Sequence, residues 1–506
     1  MKQAAERLAA AISRKERIAV FGDYDVDGIS GTALLSEFLE ALGASPIALL
    51  PDRLAEGYGI SAEIVEGLCA RGASLIVTVD NGTRAVHAVG RARELGVDVI
   101  ITDHHDAGDE LPNATAIVNP KLSDDDSPLH GISGCGVAFM LALAVRRLLR
   151  EKGLLPAPEP NLKRCLDLVA LGTIADVVPL TGANRMLTRF GLSELANAHR
   201  AGVRALLESS CTAASEITTG AIAFRLAPRI NAAGRLGDAH EALSLLRSTS
   251  NDGSRAIAAK LELMNRERQR MEERMFGEAL SITGSSVESP DGALVVHSEA
   301  WHPGVIGIVA AKLAERMLRP AVVIAGGPSQ ARGSARSNGY CDLVAALSCC
   351  RDCLLRFGGH SMAAGLSIEP KRVDEFRRRF SEACAAQAAQ SPAPSLAIDA
   401  CVAPSDINEQ LVEELGLMQP FGAGNPEPLL AIQSARIIDK RTVGTGHLKL
   451  KIEADGSKFD AIGFNMADAI EPETKTVALA FSPQLNTWNG VTSVQLKLKD
   501  IAPIRH

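Results

Sequence analysis

Positive charge is the clearest deficit of this 506-residue chain, whose 53 Lys and Arg are outnumbered by 60 Asp and Glu for a net charge of −7. A protein that holds nucleic acid across one broad basic face shows the opposite balance, so any such contact must come from local patches. Long apolar runs are lacking too. No stretch approaches the roughly 20 uncharged residues of a membrane span, and the expectation is no membrane partner. The opening segment MKQAAERLAAAISRKER carries charge throughout and reads as an amphipathic helix, not a secretory signal. Ten cysteines without such a signal imply free thiols in a reducing, cytoplasmic location. Cys341, Cys349, Cys350 and Cys353 lie near His360 in sequence but fit no pair of C-x₂₋₄-C motifs, which favours buried thiols over zinc. Aromatics are sparse from Ser395 onward, and that region has 10 Lys or Arg against 14 Asp or Glu. A core role accounts for Phe421, Phe459, Phe464, Phe481 and Trp488 as well as a base-stacking platform does.

What the chain does have is four acidic clusters in order, each closing a hydrophobic run: FGDYDVDG from Phe21, VTVDNG ending at Gly82, VIITDHHD ending at Asp106, and LGTIADVVPL from Leu171. Short β-branched runs such as 97–102 read as buried parallel strands. Groups just past the ends of such strands gather at one sheet edge, where open α/β sheets bind ligands. Asp25, Asp27, Asp80, His104, His105 and Asp176 are thereby expected to meet. Their oxygen and imidazole donors suit Mn²⁺ or Mg²⁺, and a pair of such ions is a common device for phosphate-ester hydrolysis. Asp25 and Asp27 share a side if the backbone stays extended, and Gly28 and Gly31 permit a tight turn into a helix whose N-terminus favours anions. An EF-hand calcium loop would need further oxygen ligands where Ile29, Ser30 and Gly31 stand. Asp80 alone reads as a turn residue. The adjacent His104 and His105 point apart, leaving one for metal and one for substrate. Asp176 lies in an apolar segment, which is costly for an acid unless it is paired or bound to a cation.

At about 150 residues per domain the length allows three domains. Alternating strand and helix signals over residues 1–180 indicate an α/β fold with a doubly wound parallel sheet. Residues 185–283 turn helical and arginine-rich, with one long helix over Ser254–Leu280 spanning between domains. A second α/β pattern starts at Asp291, with a helix expected over Asp342–Leu355 and a flexible turn at GSARSNG. The linker AAQSPAPS marks a boundary, and alternating runs after it suggest a small OB-like β-barrel.

The four motifs resemble those of the DHH phosphoesterase superfamily. PDRLAEGYG (from Pro51), GVAFMLALA (from Gly136), PRINAAGRLGDA (from Pro228), HPGVIGIVAAKLAER (from His302), GSARS (from Gly333), FGGHSMAAG (from Phe357) and PFGAGNPEP (from Pro420) narrow the resemblance to RecJ-type exonucleases over nearly the whole chain. The resemblance implies a DHH domain at 1–195, a helical linker region with the long connecting helix at 196–284, a DHH-associated domain at 285–388 and an OB-like nucleic-acid-binding domain at 395–506. It implies 5′→3′ degradation of single-stranded DNA in repair and recombination, by a monomer whose partners include a helicase and a single-strand-binding protein. Two divalent ions, Mn²⁺ or Mg²⁺, would be held by Asp25, Asp27, Asp80, His104 and Asp176, with Asp80 bridging and catalytic and with His105 catalytic at the scissile phosphate. Asp23 would help from outside the ligand set. Arg53, Arg235, Ser334, Arg336 and His360 are candidates for a 5′-phosphate pocket, because arginine binds phosphate oxygens in pairs. Lys449, Lys451, Lys497 and Lys499 would give the barrel a basic face. Two departures stand out. Phe21 occupies a position where some DHH enzymes have a ligand histidine, which predicts one looser ion. RecJ-type chains also commonly carry a further segment before the first motif, whereas here the first strand begins by residue 18. The alternative is a DHH phosphodiesterase for short oligoribonucleotides or cyclic dinucleotides, whose relatives typically lack the barrel.

Overall fold

In the computed structural model the described residues are 1–504 except 54–56, 58, 123–126, 285–291, 328, 338, 340, 389–394, 445 and 489. The linker AAQSPAPS, the middle of PDRLAEGYG, the end of GSARSNG and the 284/285 boundary therefore fall largely outside the described residues. The chain divides into two compact units, 1–178 with 182–392, and 179–181 with 393–506.

The larger unit opens with a fully parallel five-stranded sheet of β1 (Ile18–Gly22), β2 (Ile47–Leu49), β3 (Leu75–Val79), β4 (Asp98–Thr102) and β5 (Ala116–Val118), in the order β2-β1-β3-β4-β5. These strands are nearly continuous hydrophobic runs because both faces are covered. Val20, Val77 and Ile100 pack with the helices Val26–Ala41 and Gly134–Glu151. Ala19, Phe21, Ile76 and Ile101 pack under the helices Ala62–Ala70 and Val86–Glu94 on the other face. The order reverses between β1 and β3, and that switch point is where such sheets bind ligands.

The long helix is Asn251–Gly284, 34 residues and so roughly 51 Å at 1.5 Å per residue. Its Ala258 and Leu261 belong to the core of the first sheet, while Met275 and Ala279 belong to a core of the second. It bridges the two sheets as its sequence predicts.

The second sheet is mixed: β6 (Leu294–Ser298), β7 (Ala321–Ala325), β8 (Ala331–Arg336), β9 (Leu354–Gly359) and β10 (Ala363–Ile368), ordered β6-β7-β8-β10-β9 with only β6 and β7 parallel. Two local expectations fail here. The helix expected over Asp342–Leu355 stops at Ser348, and after one 3₁₀ turn the chain enters β9. The apolar run was too short for periodicity to separate helix from strand. GSAR lies in β8, not in a flexible turn, because its small residues pair with both neighbouring strands. Cys341, Cys350 and Cys353 are buried as thiols, with Cys349 exposed.

In the smaller unit β12 (Leu430–Val443), β13 (His447–Ala454), β14 (Ser457–Gly463), β15 (Thr476–Trp488) and β16 (Val491–Pro503) form a five-stranded closed barrel, with β11 (Ala400–Cys401) added at β12. Pairing of β12 with β15 closes it. Leu448, Leu450, Ile452, Phe481 and Leu496 fill its interior. Among the described residues no helix is long and apolar enough to cross a membrane.

Candidate metal centre and phosphate pocket

The acidic loop after β1 turns sharply because Gly28 lies against Asp23, where a Cβ would come 2.4 Å from the Asp23 nitrogen. The helix begins at Val26, so Asp25 and Asp27 are not two residues of one extended segment. Asp25 caps the helix, its Oδ1 accepting from the Asp27 and Gly28 nitrogens at 3.1 Å each. Asp27, the second residue of the helix, accepts from the Gly134 and Cys135 nitrogens at 2.6 and 3.0 Å. Those donors open the helix Gly134–Glu151, whose N-terminal dipole favours a carboxylate.

Asp80 follows β3 with φ +64°, a left-handed conformation costing on the order of 1–3 kcal/mol at a functional site. Gly134 faces it so closely that a Cβ there would sit 2.5 Å from Asp80 Oδ1. His104, after β4, places Nε2 3.0 Å from Asp80 Oδ1, 3.5 Å from Asp176 Oδ2 and 3.9 Å from Asp27 Oδ2. Asp176 arrives differently from the expectation. The run before it is the helix Leu166–Ala175, and Asp176 is the residue that ends this helix.

Ligand atoms of Asp23, Asp25 and Asp80 lie within 4.8 Å of one another, as do those of Asp80, His104 and His105, and those of Asp27, His104 and Asp176. Asp80 and His104 each belong to two of these groups. All six sequence-derived residues thus come together, and Asp23 joins them more directly than expected. Phe21 is fully buried in the opposite core, and Asp23 contributes an oxygen to the group with Asp25 and Asp80.

Burial, then repulsion from neighbouring carboxylates such as Asp25, raises Asp27 to about 7 and Asp176 to about 9, and pushes Asp23 and Asp80 well above the usual carboxylate range. A set of acids this reluctant to ionise together is what a bound cation relieves. The two histidines are driven apart. Burial, helped by the proximity of His105, lowers His104 to about 4, leaving the neutral imidazole a metal requires. Burial also opposes charge on His105, but the hydrogen bond to Asp103, Nδ1 to Oδ1 at 2.8 Å, outweighs it and raises His105. Asp103 was not singled out from sequence as a functional residue. It accepts from the backbone nitrogens of Thr83, His104 and His105. Against its burial, the hydrogen bond to and charge of the His105 ring, then the bonds from Thr83, hold it below the usual carboxylate range. His105 lines a cavity of about 260 Å³ with Gly59, Ile60, Gly82, Arg84 and His360.

The five phosphate-pocket candidates separate. Arg53 lies 4.8 Å over the Tyr24 ring, Arg235 Nη1 donates to the Gly304 carbonyl at 3.0 Å, and Arg336 Nη1 donates to Ser334 Oγ at 2.9 Å. Burial lowers Arg235 to about 10, followed by repulsion from Arg53, Arg268 and Arg336. Burial and Arg53 lower Arg336. Three cations therefore crowd one place beside the acidic loop, and among the described residues none of them forms an ion pair with a carboxylate. His360 is elsewhere, its Nδ1 3.4 Å from Asp106 Oδ2 on the rim of the His105 cavity.

In the barrel, Phe459 and Phe481 are core residues, while Phe464 is half exposed against the His447 ring. Lys449 and Lys497 share one row across β13, β14 and β16, but Lys451 faces Asp460 directly. The basic face is interrupted.

Sequence models of three domain families match: the DHH family N-terminal domain at residues 17–173, the DHHA1 domain at 291–386 and the RecJ OB domain at 398–500. The chain is 40% identical over 521 residues to the single-stranded-DNA-specific exonuclease RecJ of Salmonella typhimurium, covering 99% of this chain and 90% of that one. It is 38% identical to the Bacillus subtilis RecJ, of which it spans 63%. The crystal structure of Thermus thermophilus RecJ with Mn²⁺ superposes with a TM-score of 0.85 at 34% identity, covering all of this chain and 72% of that one. A metal-bearing relative and a metal-shaped cluster agree, and the chain belongs to the RecJ family.

Proposed function

We propose that this chain is a divalent-metal-dependent exonuclease that degrades single-stranded DNA in the 5′→3′ direction, in repair and recombination. Its family is one of single-stranded-DNA-specific exonucleases, and relatives from Thermus thermophilus have been crystallised with Mn²⁺ and with Mg²⁺. The observation that carries action from a strand end is the crowding of Arg53, Arg235 and Arg336 against the loop Asp23–Asp27; the 5′→3′ direction follows from the resemblance to RecJ-type exonucleases. A terminal phosphate held by those cations leaves the next phosphodiester to reach the acidic cluster.

The residues fit two ions. Asp27, His104 and Asp176 would hold one, Asp23 and Asp25 the other, and Asp80 both. When bound there, such ions lower the pKa of water and neutralise charge on phosphate oxygens. The remaining work belongs to the chain. Asp103 fixes the His105 ring through Nδ1, orienting the imidazole to donate to an oxygen gaining charge at the scissile phosphate. Arg336, oriented by Ser334, and Arg235 clamp the end phosphate bidentately. Asp27, held by two backbone donors, and Asp80, held against Gly134, keep the ligand set rigid before substrate arrives. The substrate sets the location in the cytoplasm, with a helicase supplying single strands and a single-strand-binding protein coating them. A phosphodiesterase for short oligoribonucleotides or cyclic dinucleotides is disfavoured, because the RecJ OB domain match extends over residues 398–500.

The test compares 5′-phosphorylated and 5′-hydroxyl strands with label at either end. Wild type should release 5′ label first and prefer the phosphorylated end. Arg235→Met should lose that preference by about 10–100-fold in kcat/KM, the worth of a buried charge-assisted pair. Release from the 3′ end, or an unchanged preference in the variant, contradicts the reading.

A further inference from the structure

Phe224 is 83% exposed, in a chain whose aromatic content is only 4%. It lies in a single π-helical turn, Ile222–Leu226, that runs straight into the helix Ala227–Leu236. Such wider turns are rare and concentrate at functional sites. The same helix continues to the machinery described above. Pro228, Asn231 and Arg235 follow Phe224 at helical spacing and are partly exposed, as are Arg229 and Leu236 beside them, whereas Ala227, Ile230 and Ala233 are buried behind.

Two contacts lock this helix onto the acidic loop. Asn231 Oδ1 accepts from the Val26 nitrogen at 3.2 Å, the first peptide after Asp25. Gly234 lies so close to the Tyr24 carbonyl that a Cβ would come within 2.7 Å of it. The exposed stripe thus begins at the candidate end-phosphate pocket, at Arg235, and finishes in an aromatic ring. The eleven residue steps between them span about 16 Å, which a stacked strand covers in about five nucleotides at 3.4 Å each.

We propose that Phe224 is a base-stacking post for the substrate strand downstream of the scissile bond. The occupant is single-stranded DNA because the stripe is continuous with the site that takes its end, an inference that rests on the function proposed above. An aromatic ring on a rigid helix stacks any base without reading sequence, as a non-specific exonuclease needs. The contact acts on binding of strands long enough to reach it, and not on the chemical step.

The full chain is assayed with Mn²⁺ on a long 5′-phosphorylated single strand and on a 5′-phosphorylated dinucleotide. Phe224→Ala should raise KM for the long strand about tenfold with little change in kcat, and leave the dinucleotide unaffected. Phe224→Trp should restore the wild-type KM. An abasic residue moved along the strand should weaken wild-type binding at one position within about five nucleotides of the 5′ end and have no such effect on Phe224→Ala. Equal KM for the two proteins on the long strand overturns the proposal, as does an equal loss on both substrates. If wild type instead fails to digest the long strand from its 5′ end, the underlying function is what fails.

Discussion

Asp80→Asn is expected to lower the rate of single-strand hydrolysis by at least about 10³-fold, with affinity for the strand changed only a few-fold. The size follows from position. Asp80 belongs to the group with Asp23 and Asp25, and its Oδ1 lies 3.0 Å from His104 of the other proposed set, so one substitution weakens both proposed ions. Losing a single preorganised electrostatic contact in other enzymes already costs about 10²–10³ in kcat. Asparagine has nearly the same shape and is among the few residues that tolerate the φ of +64° found here. The fold, the arginine pocket and Phe224 therefore stay intact, and strand binding persists. Turnover and equilibrium binding measured on the same preparation check both halves. Digestion at the wild-type rate would remove Asp80 from the centre of the mechanism.

Stripped of metal, the wild-type protein should lose stability as pH rises from about 4 to 9, and added Mn²⁺ should reverse that trend. Asp27 and Asp176 are raised to about 7 and about 9, and Asp23 and Asp80 rise as well. Over this window the folded chain binds more protons than the unfolded one, so the stabilisation from these groups is complete below their unfolded values and lost as pH passes through the folded ones. The shift of Asp27 alone corresponds to about 4 kcal/mol. A cation that binds only the ionised cluster gains affinity over the same range. Thermal melts in chelator and in Mn²⁺, taken across this range, report the effect. A metal-free protein whose melting point is flat or rises over that window would mean that burial and mutual repulsion do not keep these acids protonated. Asp80→Asn in chelator should melt higher than wild type at the alkaline end, because it removes one of the charges.

Much of the centre was legible in the sequence because Asp25, Asp80 and His104 each follow a short β-branched run, and parallel strands deliver their C-terminal ends to one edge. The adjacency of His104 and His105 marked the site but misled on geometry. The rings do not point apart but meet edge to face with centroids 4.6 Å from each other, and both approach Asp80 Oδ1, at 3.0 and 3.8 Å, because the chain leaves the extended conformation after β4. Asp176 was found for its charge but placed wrongly, because LDLVALGTIA is apolar on every side and helix and strand give the same pattern there. Asp103 stayed hidden as a functional residue because its role is to accept hydrogen bonds from Thr83, His104 and His105, a geometry that no spacing encodes. Gly134 was equally invisible. What matters is the missing Cβ beside Asp80, which depends on how two distant segments pack. His360 lies by Asp106 and the His105 cavity, apart from the three arginines, for a comparable reason: the GSAR segment and the GGH turn are near in sequence order, but β10 separates β8 from β9 in the sheet. Phe224 gave no sign at all, since an apolar residue in a helical stretch reads as core until its exposure is known.

The central claim is that one carboxylate–imidazole cluster holds two ions that share Asp80. Counting Mn²⁺ bound per chain at saturation, by calorimetric titration of metal-free protein, tests it most directly. The account predicts two ions for wild type, one looser than the other, and a reduced count for Asp80→Asn. A single ion in wild type, or two bound equally well by the variant, would contradict it.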